Sequence, residues 1–139
     1  MRIEILPWAQ AEPLAAPIRF AIFVGEQQAA GFELDDLDKD CMHAVGYDDA
    51  GKAIATARLM PDGQIGRMAV VKEWRRRGVG AALLEALVAE ARKRGLAEVR
   101  LSAPVQALEF YREHGFVADG KIHPVGKALH QPMKKPLAG

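Results

Sequence analysis

The sequence is short of the features that mark secreted, membrane or metal-binding proteins. It has one cysteine, Cys41, so no internal disulfide can form, and without a Cys/His cluster there is no structural zinc site. No partner motif accompanies that cysteine, which reads as a bland, buried thiol. No apolar run approaches the roughly 20 residues needed to cross a bilayer, and the opening stretch MRIEILPWAQAEP has no apolar signal core. A cytosolic location, with no membrane partner, is the default expectation. Neither sign of charge dominates: 19 Lys and Arg against 18 Asp and Glu leave a formal net charge of +1, too little to draw the whole molecule to nucleic acid. Aromatic residues make up 6% of the chain and do not interleave with its basic runs, Arg75 to Arg77 and Arg92 to Arg94. A nucleic-acid domain using those runs as a basic stripe is therefore disfavoured. Internal repeats, low-complexity tracts and long Pro/Gly/Ser linkers are also missing.

What remains is an ordinary globular composition. The 139 residues are 50% hydrophobic and 27% charged, which suits one domain with a substantial core of its own. Arg2 to Leu6 alternates like a strand that Pro7 stops. Leu14, Ile18, Ala21 and Ile22 recur at helical spacing, which predicts a helix over Pro13 to Val24 with one buried stripe. The acidic run Leu34 to Asp40 reads as a loop or a short turn of helix. His43 to Tyr47 and Lys52 to Met60 flank the turn-forming tract Asp48-Asp49-Ala50-Gly51 as a hairpin, and Pro61-Asp62-Gly63 turns the chain into a strand over Gln64 to Val71. The period then changes. Val79, Leu83, Leu84, Leu87, Val88 and Ala91 trace one face of a long helix, with Arg92, Lys93 and Arg94 suiting its negative end and Gly95 its cap. A strand over Val99 to Ser102, a short helix over Val105 to His114 ended by Gly115, a strand from Phe116 and a last strand over Leu129 to Lys134 complete a layered α/β domain.

The chemistry concentrates between the meander and the long helix, in Arg75-Arg76-Arg77-Gly78-Val79-Gly80. A strand that runs through a glycine-bearing basic turn straight into a helix presents unpaired N–H groups, reinforced by the helix dipole, to an anion. Arginine adds forked, charge-assisted hydrogen bonds. A pyrophosphate is the natural guest. No Gly-Lys-Ser/Thr follows, and the third spaced glycine of the dinucleotide fingerprint is missing, so neither common nucleotide loop is present. Taken alone, such a turn more readily describes three solvated arginines that glycines merely accommodate.

The context decides between these readings. Arg-x-x-Gly-x-Gly lies between an apolar strand and an amphipathic helix, and Ala107-Leu108-Glu109-Phe110-Tyr111-Arg112-Glu113-His114-Gly115-Phe116 follows about thirty residues on. Together these resemble the GCN5-related N-acetyltransferase (GNAT) superfamily over about Ala53 to Phe116. The resemblance implies a mixed, mostly antiparallel sheet of about six or seven strands with helices on both faces. It also implies transfer of an acetyl group from acetyl-coenzyme A to the amine of a small molecule or peptide, by direct attack and without a metal. The coenzyme's pantetheine would pair with the backbone of Met68, Ala69 and Val70. Its pyrophosphate would meet Arg75, Arg76, Arg77, Gly78, Val79, Gly80 and Ala81, and Gln106 would face the cofactor. Tyr111 falls on the family's usual general acid. The family's usual strand glutamate is missing, because Gly66, Arg67 and Met68 stand there, so the base is sought among Glu26, Glu33, His43, His123 and His130. That gap also keeps open a non-catalytic module that only binds acyl-coenzyme A.

A narrower resemblance, to the bacterial ElaA/YjcF-like branch, rests on Arg19, Phe23-Val24-Gly25-Glu26-Gln27, Leu34-Asp35-Asp36-Leu37-Asp38, His43 and His130. Ser102-Ala103-Pro104-Val105-Gln106 departs from that branch at Ser102 and Pro104. The resemblance implies that Glu26, Glu33, His43 and His130 face the acceptor. Glu26, Glu33, Asp35, Asp36 and Asp38 would then favour a cationic amine, unless they form a solvated acidic loop. Small enzymes of this type are often homodimers.

Overall fold

A computed structural model describes residues 1–26 and 35–137, with only the backbone of Glu26. The first strand, β1 (Arg2–Pro7), runs directly into α1 (Trp8–Arg19), which continues as a π-helical segment, Phe20–Glu26. The sequence places the start of this helix five residues too late, because Pro13 mimics a first helical position. Pro13 and Pro17 instead lie inside α1 on its exposed side, while Ala11 and Ala15, fully buried, carry the apolar stripe back towards Trp8. Small alanines give little periodic signal, yet they let a helix lie close on a sheet.

β2 (Met42–Tyr47), β3 (Ala53–Leu59) and β4 (Ile65–Val70) complete an antiparallel sheet in the order β1-β2-β3-β4. After the turn come α2 (Val79–Lys93), β5 (Glu98–Pro104), a 3₁₀ turn (Val105–Ala107) and α3 (Leu108–Glu113). The chain ends in β6 (Val117–Ala118), β7 (His123–Val125) and β8 (Ala128–Pro136). These form a second sheet ordered β5-β8-β6, with β7 also on β8. The α/β class and the layered fold expected from the sequence hold. The strands are grouped more finely than the sequence suggests, in two antiparallel sheets. Short β7 carries too few residues to show an alternation.

The two sheets touch where β4 begins. Gln64 and Arg100 form one parallel bridge, supported by the Arg100 N–H donating to the Gly63 carbonyl at 3.0 Å. Beyond it, β4 and β5 have no ladder between them, and each is an edge strand. One face of both sheets packs on α2, whose Val79, Leu83, Leu84, Leu87, Val88 and Ala91 meet Ala44, Ala57, Val99, Leu101 and Met133 in the main core. On the other face of the first sheet, α1 covers Val45 and Tyr47 through Ala11, and the π-helical segment covers Ala69 through Ile22 and Phe23.

Candidate active site

The outer edge of β4 is open by construction. Val71 donates its N–H to the Ile54 carbonyl of β3 at 3.0 Å. The backbone groups of a strand alternate in direction, so those of Val70, and of Met68 two residues before, point away from β3. Arg75 Nε confirms this direction by donating to the outward Val70 carbonyl at 2.9 Å. Just upstream, β4 carries a bulge opposite the Thr56–Arg58 stretch, where Arg67 takes a left-handed φ of 50°. Such a conformation costs a non-glycine residue of order 1–3 kcal/mol.

From β4 the chain passes a 3₁₀ turn, Lys72–Trp74, and reaches Arg76 at φ 61° and Gly78 at φ 80°. Gly78 caps α2 without any side-chain hydrogen bond, and the first bond of the helix is Ala82 N–H to the Gly78 carbonyl at 3.1 Å. The N–H groups of Val79, Gly80 and Ala81 therefore have no acceptor within the helix. A Cβ on Gly78 would meet nothing within 4 Å, so the space in front of the helix end is open. The three arginines do different work. Arg75 ties the turn to β4, and Arg77 lies over the Trp74 ring at 4.9 Å, fastening the turn through an indole that packs on the main core. Arg76 is exposed, with no bonded partner among the described residues. These features fit a pyrophosphate: open N–H donors, a dipole end, and one cation at hand.

The second motif comes to the same place. Phe110 Cζ lies 3.9 Å from where a Gly80 Cβ would stand, so α3 packs against the first turn of α2. Tyr111 follows, half-buried, with its ring edge-on to Phe110 and Phe116 at 5.0 and 5.8 Å between centroids. Burial pushes its phenol above the ordinary value, so the hydroxyl stays protonated and available as a donor. Gln106 is exposed on the 3₁₀ turn that leads into α3.

The residues expected around the acceptor are not brought together as one group. Glu33 lies outside the described residues, as does the side chain of Glu26. His43 is fully buried, and both its ring nitrogens are engaged: Nε2 is 2.9 Å from the Asp38 carbonyl and Nδ1 is 3.4 Å from Arg19 Nη2. A carbonyl only accepts, so Nε2 donates and Nδ1 receives. Burial also pushes this imidazole below its usual range. His43 is therefore a structural residue, and the expectation that it faces the acceptor is corrected. His130, half-buried on β8, stands on one rung between Pro104 of β5 and exposed His123 of β7.

The acidic loop is also reassigned. Asp38 is 1% exposed and accepts from Arg19 Nη1 at 2.9 Å and Arg58 Nη1 at 3.0 Å. Asp35 accepts from Arg58 Nη1 at 2.7 Å and Arg67 Nη2 at 2.9 Å. The hydrogen bond from Arg58 holds the Asp35 carboxyl down at about 2. Burial works against the charge of Arg58, but its bonds to Asp35 and Asp38 outweigh it. These aspartates hold loop and sheet together rather than offering charge to a cationic amine. Arg19 also lies over the Trp8 ring at 5.1 Å, which gives that tryptophan its place, and Cys41 is buried with its thiol donating to the Leu37 carbonyl at 3.1 Å. Burial raises that thiol, which makes it a poor nucleophile. The sequence does not announce this network, because arginines on strands read as solvent-facing until the helix above them is placed.

Acidification is expected to destabilise the protein in two stages. Both folded values are depressed, so each group contributes stability above its unfolded value and loses it as pH falls. His43 acts first, below about pH 6.5, and Asp35 between about pH 4 and pH 2. Urea unfolding across this range should show both losses, with the first absent in His43→Gln. Equal stability at about pH 7.5 and pH 5 would contradict the assignment of His43.

Two hollows of about 210 Å³ open elsewhere on the surface. One lies between α2 and the end of α3, lined by Glu85, Arg92, His114 and Lys135 over Leu84 and Phe116. The other lies at the Gln64–Arg100 bridge. The sequence does not signal either, since their residues come from distant segments. Among the described residues no cluster of His, Cys, Asp or Glu could hold a metal ion, and no helix is long and apolar enough to cross a membrane.

The fold and sequence match those of known proteins. A family described as an acetyltransferase (GNAT) domain matches residues 19–137. The chain is 35% identical over 102 residues to YjcF, an uncharacterised N-acetyltransferase of Bacillus subtilis (strain 168), covering 71% of this chain and 73% of that one. An acyl-CoA N-acyltransferase from Pseudomonas aeruginosa superimposes with a TM-score of 0.87 at 26% identity, over 96% of this chain and 98% of that one. Escherichia coli ElaA, at 22% identity and a TM-score of 0.86 over 96% and 98% of the two chains, shares the fold.

Proposed function

The chain belongs to the GNAT acetyltransferase family and is an acyltransferase, and from that premise we propose that it moves an acetyl group from acetyl-coenzyme A to a primary amine. The observation that carries this reading is the junction of a strand edge that no other strand pairs, at Met68 and the Val70 N–H beside the carbonyl that Arg75 holds, an open helix end at Gly78 to Ala81, and Tyr111 on a helix packed against Gly80. The edge supplies backbone partners for an extended amide chain, as an added strand would. The N–H groups of Val79, Gly80 and Ala81, with Arg76, hold the diphosphate. The coenzyme supplies an acyl carbon activated by its bond to sulfur, which breaks as the nitrogen–carbon bond forms.

Tyr111 Oη–H donates to the departing sulfur. Full transfer from a phenol near 10 to a thiolate whose acid is near 8.5 is uphill by about 2 kcal/mol, and burial increases that gap. Tyr111 therefore acts chiefly by a hydrogen bond that strengthens as charge develops on sulfur. The amine's lost proton balances the one that ends on the thiol, so amide and thiol are the net products. The non-catalytic alternative is less well supported, because a binding module needs no phenol on the helix packed against the anion turn.

Tyr111→Phe is expected to lower kcat by roughly a hundredfold while leaving the Kd for acetyl-coenzyme A unchanged, since the phenyl ring keeps its contacts with Phe110 and Phe116. Thiol release and calorimetry on the same preparation measure the two quantities. An unchanged kcat would remove Tyr111 from the chemistry, and wild type that binds no acetyl-coenzyme A would remove the reading itself.

A further inference from the structure

The hollow at the Gln64–Arg100 bridge lies on the face of the second sheet turned away from α2. Leu101 and Met133 of that sheet point into the core under α2, and Arg100, Ser102, Pro132 and Lys134 alternate with them. His123 stands opposite His130, two residues from Pro132 on β8, and so shares this outer face. Asp119 joins them by donating its N–H to the Pro132 carbonyl at 2.8 Å. Lining the hollow, Gln64, Arg100 and Ser102 form one wall, Pro132 the floor, and Asp119 and His123 the opposite wall. The arrangement is dipolar, with a guanidinium, an amide and a hydroxyl facing a carboxylate and an imidazole.

We infer that this hollow takes the acceptor, and that the acceptor is a zwitterion, a free amino acid whose carboxylate meets Arg100 and whose ammonium meets Asp119. The inference rests on the acetyltransferase reading above. Position supports it, because a chain laid along β4 from the glycine turn points back towards Gln64, where β4 and β5 come together. Size supports it as well. The hollow has a volume of about 210 Å³, room for a free amino acid and too little for a peptide.

The wall charges are also exchangeable. Arg100 uses Nη2 on Asp62 Oδ2 at 3.2 Å and on the Asp62 carbonyl at 3.3 Å, and Asp119 meets Lys134 at 3.6 Å, all near the surface. Such pairs hold their partners weakly. His123 Nδ1 lies 3.2 Å from the Lys121 carbonyl, so that nitrogen donates and Nε2 keeps a lone pair able to take the proton the ammonium must lose.

The test compares free amino acids with their carboxamides, by thiol release and by calorimetric titration into protein saturated with coenzyme A. At least one free amino acid should bind and react, and its carboxamide should show a KM higher by about tenfold or more. Arg100→Gln should raise both the KM and the calorimetric Kd of the acid by a similar factor and leave the Kd for acetyl-coenzyme A unchanged, whereas Arg100→Lys should recover part of the loss. Carboxamides that serve equally well, free amino acids that neither bind nor react, or an unaffected Arg100→Gln would each overturn the inference. If acetyl-coenzyme A binds and only amines without a carboxylate react, the zwitterion inference falls alone. If the coenzyme does not bind, the transferase reading falls with it.

Discussion

Gly80→Glu is expected to lower affinity for acetyl-coenzyme A by about three orders of magnitude or more, a loss of at least about 4 kcal/mol, in a protein that still folds. Added carbon is not itself the problem. A Cβ at Gly80 would lie 3.9 Å from Met68 Sδ and from Phe110 Cζ, which is ordinary contact. Gly80→Ala should therefore fold and bind within a few-fold of wild type, helped by the better helix propensity of alanine. The glutamate differs through its charge. A carboxylate in the first turn of α2 suits the helix dipole and so favours folding. It also takes up the field and the N–H groups that would otherwise hold a diphosphate, and repels the anion directly. Calorimetric titration of both variants, with circular dichroism to confirm the fold, separates crowding from charge. Undiminished binding to Gly80→Glu would place the coenzyme elsewhere.

The second large effect concerns stability. Asp38→Ala should destabilise the protein by about 3–5 kcal/mol, because breaking a buried pair strands the remaining charge in the interior. Asp38 is nearly inaccessible and holds two arginines, of which Arg19 is fully buried. Against a total of about 5–15 kcal/mol for a typical domain, this loss brings the protein close to unfolding. Asp38→Asn retains two acceptor lone pairs and should lose less. Glu109→Ala, which removes an exposed 3.3 Å pair with Arg112, should change stability by less than about 0.5 kcal/mol. Urea unfolding at neutral pH measures all three. A loss at Asp38 no larger than at Glu109 would mean that the network around it contributes little to holding the loop on the sheet.

The parts of the fold legible in the sequence are those with strong local periodicity. Val79 to Ala91 repeats every three or four residues and forms α2. The meander between His43 and Val71 shows alternation punctuated by turn residues, and its three strands form within a residue or so of the expected bounds. Helix α1 is misplaced because proline is a strong local signal and buried alanine a weak one. Here the close packing of Ala11 and Ala15 on the sheet outweighs the two lost hydrogen bonds at Pro13 and Pro17.

The candidate site divides in the same way. The glycine turn is legible because its requirements are local: a positive φ at Gly78, a helix start and nearby cations, all within one short stretch. The acceptor side is not. His43, Asp35 and Asp38 carry the residue types of an amine site, yet their neighbours in space are Arg19, Arg58 and Arg67 from three other segments, which turn them into structural ions. Conversely, Arg100 and Asp119 attract no notice along the chain, and they meet His123, a candidate base by residue type alone, only because β7 and β5 flank the same strand.

By itself, then, the sequence determined the order and type of the main elements and the glycine-bearing basic turn that opens α2. Each depends on interactions between residues a few positions apart, which periodicity and glycine chemistry report directly. The tertiary structure alone decided which charged side chains are buried as pairs and which line an open hollow. Burial and electrostatic partnership arise between segments twenty to forty residues apart, and nothing in the local spacing of a charged residue records what will be folded against it.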